Sequence, residues 1–206
     1  MNKLILLFVV NLAMAICLLI PRDAQAEIAL GLHGGISLSD ASVEPELSTD
    51  YRAGAVAGVF SELKIAGEVL YLQGEFNYVQ KGAEQTVLRT ESKIKLDYIE
   101  IPLLLKAKYE KMDFKPFILA GPALGFNVNA SGESTIGRTQ FTSDLTTVDA
   151  IDFGLLFGIG AEYHFSSQWA GLLTARYSLG LVDVVETATT WKNHGLQTLA
   201  GVMFKF

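Results

Sequence analysis

The stretch Trp169-Ala170-Gly171-Leu172-Leu173-Thr174-Ala175-Arg176-Tyr177-Ser178-Leu179-Gly180-Leu181 decides the fold. Its odd positions carry Trp169, Gly171, Leu173, Ala175, Tyr177, Leu179 and Leu181, and its even positions carry Ala170, Thr174, Arg176, Ser178 and Gly180. Only Leu172 breaks the alternation. A period of two belongs to a strand, whose successive side chains point to opposite faces. Residues 151–165 repeat the pattern, with Ile151, Phe153, Leu155, Phe157, Ile159, Ala161, Tyr163 and Phe165 on one face, and Asp152, Gly154, Gly158, Gly160, Glu162 and His164 on the other. Here Leu156 is the exception.

Working outward, residues 27–38 set Ile28, Leu30, Leu32, Ile36 and Leu38 against Gly31, His33, Gly35 and Ser37. Residues 69–81 set Leu70, Leu72, Phe76 and Tyr78 against Gln73, Glu75, Asn77 and Lys81. Segments 52–65, 94–109, 114–128 and 195–206 alternate less cleanly and complete a set of eight. In 94–109 the apolar face passes from Ile94, Leu96 and Tyr98 to Ile99, Ile101, Leu103 and Leu105, which predicts a β-bulge near Tyr98, ahead of Pro102. The connections alternate in length. Residues 66–67, 110–113 and 166–168 are short, whereas 39–50, 82–93, 129–149 and 182–193 are long and polar and are expected as loops. Short periplasmic turns and long external loops mark an outer-membrane barrel.

A soluble lipocalin-like barrel has the same period with its apolar face turned inward. Three features favour the membrane. Aromatic residues gather at strand ends: Tyr109, Phe114, Tyr163, Phe165, Trp169, Phe204 and Phe206 near the short turns, and Tyr51, Tyr78, Tyr98, Phe126 and Tyr177 near the long connections. Amphipathic rings favour the two membrane interfaces. The polar face carries Arg52, Glu62, Glu75, Lys106, Glu162 and Arg176, which would be costly against lipid. The chain also ends on an alternating strand, Leu196, Ala200, Val202, Phe204 and Phe206, which resembles the C-terminal signal read by the outer-membrane assembly machinery. The fold expected is all-β, an eight-stranded antiparallel up-and-down transmembrane β-barrel. It must close, because open strand edges in hydrocarbon leave backbone groups unpaired.

Residues 1–26 read as a secretory signal peptide, with Lys3 in the n-region, an apolar run from Leu4 to Ile20 and a cleavage site at Ala24-Gln25-Ala26. The barrel domain is then 27–206. An uncleaved membrane anchor is the alternative reading of the apolar run. The single cysteine, Cys17, lies inside that run and follows Ile16, where a lipidation site would want a small residue. The mature chain therefore has no disulfide, thiolate ligand or cysteine nucleophile. Removing Lys3, Arg22 and Asp23 from the 16 basic and 22 acidic residues leaves 14 and 21, a net charge of −7, which argues against a nucleic-acid partner.

At Tyr98-Ile99-Glu100-Ile101-Pro102-Leu103-Leu104-Leu105, followed by Lys115-Pro116-Phe117-Ile118-Leu119-Ala120-Gly121-Pro122, the chain resembles the PorT-like family of outer-membrane β-barrel proteins. The similarity runs from the segment 31–35 through the closing strand. It implies an outer-membrane location and a barrel fold. One namesake member is associated with protein secretion to the cell surface, and the family has no common catalytic residues to carry over.

Residue chemistry adds few candidates. Glu75, Glu162, Arg52 and Arg176 form an interior ion-pair network in one reading and solvated rim charges in the other; in either case large solutes do not pass, because eight strands enclose room for little beyond side chains. His164, two residues from Glu162 and from Ser166, resembles the His-x-Ser arrangement of lipid A deacylases, although Ser167-Gln168 departs from that pattern and the group sits at a short turn. His33 and His194 are too scattered for metal-ligand spacing, and Glu44, Glu46 and Asp50 lack a calcium-loop pattern. Gly158-Ile159-Gly160 lacks the rest of a dinucleotide motif and reads as close strand packing. No catalytic, metal or cofactor residue is assigned, and no cofactor is expected. The expected role is structural, adhesive or accessory to secretion or transport, in the bacterial outer membrane and without enzymatic activity. A lipid-modifying outer-membrane enzyme and a soluble periplasmic ligand-binding barrel are the alternatives. The partners expected are outer-membrane lipid, the assembly machinery through the strand ending at Phe206, and a surface or periplasmic protein, for which 129–149 is the best contact segment.

Overall fold

A computed structural model describes residues 28–44, 50–87, 90–111, 113–136, 139–144, 150–182 and 190–206. The signal peptide expected at 1–26 lies outside them. Among the described residues nine strands follow one another: β1 (Ile28–Glu44), β2 (Asp50–Ala66), β3 (Leu70–Val87), β4 (Thr90–Lys108), β5 (Phe114–Ile136), β6 (Thr139–Asp144), β7 (Ile151–His164), β8 (Trp169–Gly180) and β9 (Thr190–Lys205). Neighbours pair antiparallel in the order β4-β3-β2-β1-β9-β8-β7-β5, and β4 also pairs with β5, so eight strands close a barrel. β6 is extra and pairs with the far end of β5. Every wall strand thus has a neighbour on both sides, which satisfies its backbone groups inside the membrane.

The alternation is realised with the apolar face outward. Leu32, Ile36, Val59, Phe76, Ile118, Ile159, Leu173 and Leu196 are all exposed, while Glu62, Glu75, Lys106, Glu162 and Arg176 are buried in the lumen. This overturns the soluble alternative. The two pattern-breaking leucines fill the interior. Leu172 joins Ala29, Phe60, Ala170 and Met203, and Leu156 joins Leu104, Phe117, Leu119 and Ala123.

Three expectations are corrected. The irregularity near Tyr98 exists, but its extra residue is on β5: Asp97 pairs with Asn129 and Tyr98 with Asn127, leaving Val128 unpaired. The β3–β4 ladder keeps one register from Val87↔Thr90 to Leu70↔Ala107, interrupted only beside Pro102, so β4 keeps one face throughout. Leu96 and Tyr98 point inward beside Glu100, Lys106 and Lys108, and the apparent slip reflects apolar side chains inside the barrel. Tyr98 therefore does not belong to the aromatic belt, unlike Tyr51, Tyr78 and Tyr177, which are exposed. Finally, much of the expected loops 39–50, 82–93, 129–149 and 182–193 is strand. The ladders continue through Ser, Thr, Gln and Asn residues because antiparallel pairing needs no apolar face once the strands leave the lipid. Residues 45–49, 88–89, 137–138, 145–149 and 183–189 of these segments lie outside the described residues.

Two local devices keep the wall intact. Gly67, at φ +56°, makes the tight turn between β2 and β3, a conformation that side chains disfavour. Between Tyr51↔Ala83 and Val56↔Val79, β2 carries one residue more than β3. Gln80 Oε1 accepts the Ala55 N–H at 3.1 Å, and Arg52 donates to the Lys81 carbonyl, so side chains replace the interrupted ladder.

Candidate functional site

Strands four places apart in a ring of eight lie on opposite walls, and polar side chains from such pairs meet inside this barrel. Nearest the short turns, Glu62 of β2 and Glu162 of β7 approach from opposite sides, and Lys106 and Lys108 of β4 stand between them. Lys106 Nζ lies 2.5 Å from Glu62 Oε2 and also donates to Glu162 Oε1. Lys108 Nζ lies 2.6 Å from Glu62 Oε1 and 3.0 Å from Glu162 Oε2. Two ammonium groups balance two carboxylates, as burial of charge requires. The lysines also stand over rings, Lys106 4.1 Å from the centre of Phe117 and Lys108 4.0 Å from that of Tyr71.

Higher in the lumen, Arg176 of β8 clasps Glu75 of β3 across the barrel, Nη1 to Oε2 at 2.7 Å and Nη2 to Oε1 at 2.8 Å. Gln73 and Asn77 donate to the same carboxylate at 2.5 and 2.8 Å. His33 Nε2 lies 2.7 Å from Asn77 Oδ1, and its ring stacks on Phe60 at 5.3 Å. Nearest the long connections, Lys81 Nζ lies 2.5 Å from Glu100 and 3.4 Å from Asp152, and Asn193 donates to Asp152 at 3.3 Å and to the Tyr98 hydroxyl at 3.5 Å. Three bars of polar contact therefore cross the lumen. A cavity beside the uppermost, lined by Ser37, Ser39, Lys81, Ser178, Asn193 and Gln197, has about 10 Å³, room for about one water.

Of the four predicted network members, Glu75 and Arg176 pair with each other, Glu162 joins the lysine bar, and Arg52 serves the β2 bulge instead. Lys108 and Glu100 are members that the sequence reading misses, and Asp152 is one that it places on the polar face without a partner. The even positions of Lys108 and Glu100, in step with Lys106 and Glu162, are the signal that could have found them.

At the short-turn end Glu110 accepts the Tyr71 hydroxyl at 2.6 Å and a bond from Lys115. Burial alone would raise its carboxyl, but bonds from Lys115 and Tyr71 and the Lys108 charge hold it down at about 2. His164 Nε2 lies 3.3 Å from Glu162 Oε2, and Ser166 Oγ accepts the N–H groups of Gln168 and Trp169 at 3.3 and 2.9 Å. The serine closes a turn and shares no hydrogen bond with His164, so the structure does not bring the suspected pair together. Among the described residues no group of three His, Cys, Asp or Glu side chains is arranged to hold a metal ion. His33 and His194 stay apart, His194 lying edge-on to Tyr51. The side chains of Glu44, Glu46 and Asp50 lie outside the described part. Gly158 and Gly160 are packing positions: a Cβ on Gly160 would stand 2.4 Å from the Phe117 ring, and one on Gly158 3.0 Å from Arg176 Cγ.

A closed barrel with charges inside, apolar side chains outside and aromatic residues at both rims is built for a bilayer, and residues 23–186 match the family model described as an outer membrane protein beta-barrel domain. The chain belongs to that family. This outer-membrane β-barrel is similar in fold to OprG of Pseudomonas aeruginosa, with 12% identity, a TM-score of 0.55, and 89% of this chain and 96% of that one covered. A major outer membrane protein of Thermus thermophilus gives 11% identity and a TM-score of 0.53, with 89% and 100% covered. Neisserial surface protein A gives 15%, 0.50, 89% and 100%. At such identities the likeness is one of fold alone. No curated protein matches the outer-membrane β-barrel by sequence. Its place is the bacterial outer membrane.

Proposed function

We propose that this barrel is a non-enzymatic envelope protein of the PorT-like kind, with a structural, adhesive or secretion-accessory role exerted by its surfaces and not through its lumen. The observation that carries this reading is the set of three polar bars, which join opposite walls through Glu62–Lys106–Glu162, Glu75–Arg176 and Tyr98–Asn193. A lumen closed in this way leaves the surface at the long-connection end, external in bacterial barrels, as the part that meets other molecules.

In this reading residues 1–26 are the export signal and 27–206 the barrel. The partners are outer-membrane lipid around the wall, the assembly machinery through the strand ending at Phe206, and a protein met at the surface or in the periplasm; nucleic acid and cofactors have no part. A Ser166 hydroxyl held by two turn N–H groups supports the non-enzymatic reading over lipid modification.

The test is a strain lacking the protein, examined for surface attachment, secretion and detergent sensitivity, and then complemented. Complementation by a chain with the lumen bars intact and residues 129–144 cut to a short turn is expected to restore envelope integrity but not surface contact. An altered lipid A profile that His164→Ala or Ser166→Ala reproduces would overturn the proposal in favour of an enzyme.

A further inference from the structure

Beyond the rim the wall divides. β7 follows β5 only up to Phe126↔Ile151 and β8 ends at Gly180, whereas β5 continues to Ile136. β6 takes over the edge that β7 leaves, in unbroken register from Ser131↔Asp144 to Ile136↔Thr139. With the outer parts of β3 and β4 it forms a sheet that projects from the long-connection end. Among the described residues β6 pairs with β5 alone, so its other edge presents a row of backbone N–H and C=O groups.

Exposed edges are usually blunted by shortness, charged side chains, proline or a bulge. β6 is six residues long and its one charge, Asp144, stands at its end; Thr139-Gln140-Phe141-Thr142-Ser143 carries no charge or proline, and its ladder has no bulge. Phe141 is 58% exposed. It stands beyond the lipid band, paired opposite Ser134, so membrane burial does not account for it.

We propose that the free edge of β6 is a strand-addition site for an extended polypeptide segment of another protein, with Phe141 as the side-chain anchor. This rests on the reading of a barrel that acts through its surface. Backbone pairing supplies the affinity in such recognition, and alternate side chains supply the selectivity. The segment that fits is unstructured when free, poor in proline, and carries an apolar residue to lie against Phe141. A second copy fits poorly. Copies in one membrane point the same way and are related by rotation about its normal, which brings two β6 edges together parallel and crossed by twice the strand tilt.

The test uses the full chain in lipid nanodiscs, panned against phage-displayed random decapeptides, with enriched peptides remade and titrated by fluorescence polarisation. Successive strand residues direct their backbone groups to opposite sides, so one of Thr142→Pro and Ser143→Pro removes an N–H given to β5 and the other an N–H on the open edge. Peptide binding is expected to fall tenfold or more in the open-edge variant and in Phe141→Ser, with the heat-dependent gel mobility of the folded barrel retained. No enrichment over empty nanodiscs, or binding unchanged in all three variants, would overturn the proposal. So would a mass of two chains per disc that Phe141→Ser returns to one. Failure of the wider reading shows separately, as normal surface contact by cells whose barrel lacks residues 129–144.

Discussion

Glu75 and Arg176 meet as a bidentate pair at 2.7 and 2.8 Å although their strands, β3 and β8, stand on opposite walls of the barrel. A contact across the full diameter ties the cylinder internally, where the ladders tie only neighbours. Both side chains are buried, so each charge depends on the other.

Removing one partner is therefore expected to cost more than removing both. Arg176→Met or Glu75→Gln alone should destabilise the barrel by about 3–5 kcal/mol, because each leaves an uncompensated buried charge. The double variant should recover part of that loss. Denaturant unfolding of the refolded barrel, followed by tryptophan fluorescence, measures the coupling, and strictly additive single effects would show that the pair is not coupled.

The bars also predict electrical silence. In planar bilayers the native chain should give no steady conductance. Serine at Glu62, Lys106, Lys108 and Glu162 removes the lowest bar but leaves the Glu75–Arg176 bar in place, so the lumen should stay closed. Adding Glu75→Ser and Arg176→Ser still leaves the bar of Lys81, Glu100, Asp152, Tyr98 and Asn193, so conductance should appear only when that bar is removed as well. Channel activity in the native chain would contradict this account.

Glu110 gives a pH dependence of known sign. Its carboxyl binds a proton less readily in the folded barrel, near pH 2, than in the unfolded chain, near 4.5. Its contribution to stability is thus fully present above about pH 4.5 and is lost as pH falls toward 2. Between these limits the unfolding midpoint of Glu110→Gln should fall less steeply with acidification than that of the native chain. Parallel curves would remove Glu110 from the acid response.

Gly160, which faces the lumen, and Gly74, which shares the outer face of β3 with Phe76, offer a paired test of packing. A Cβ at Gly160 would stand 2.4 Å from both the Phe117 ring and the Leu173 carbonyl oxygen, whereas at Gly74 the nearest atom is Ser61 Oγ at 3.7 Å. Gly160→Ala should cost about 1–3 kcal/mol through overpacking. Gly74→Ala should be neutral or stabilising by about 0.4–1 kcal/mol, since it reduces the freedom of the unfolded chain. The two unfolding midpoints decide it.

The sequence by itself determined the strands of the wall, through a period of two, and the membrane face, the closure and the aromatic rims other than Tyr98, through the charges on one face, the cost of open edges in hydrocarbon and the rings at strand ends. Strand parity is local: Leu173 and Arg176 point to opposite sides whatever the rest of the chain does. Partner choice across the lumen was decided only by the tertiary structure. Strand tilt and stagger set which residues of opposite walls come level, so Arg176 found Glu75, Glu162 found two lysines, and Arg52 went to a bulge. The extent of the strands beyond the bilayer was equally out of reach. There apolar alternation ceases because no lipid faces the sheet, while the backbone pairing that builds β6 onto β5 continues without it.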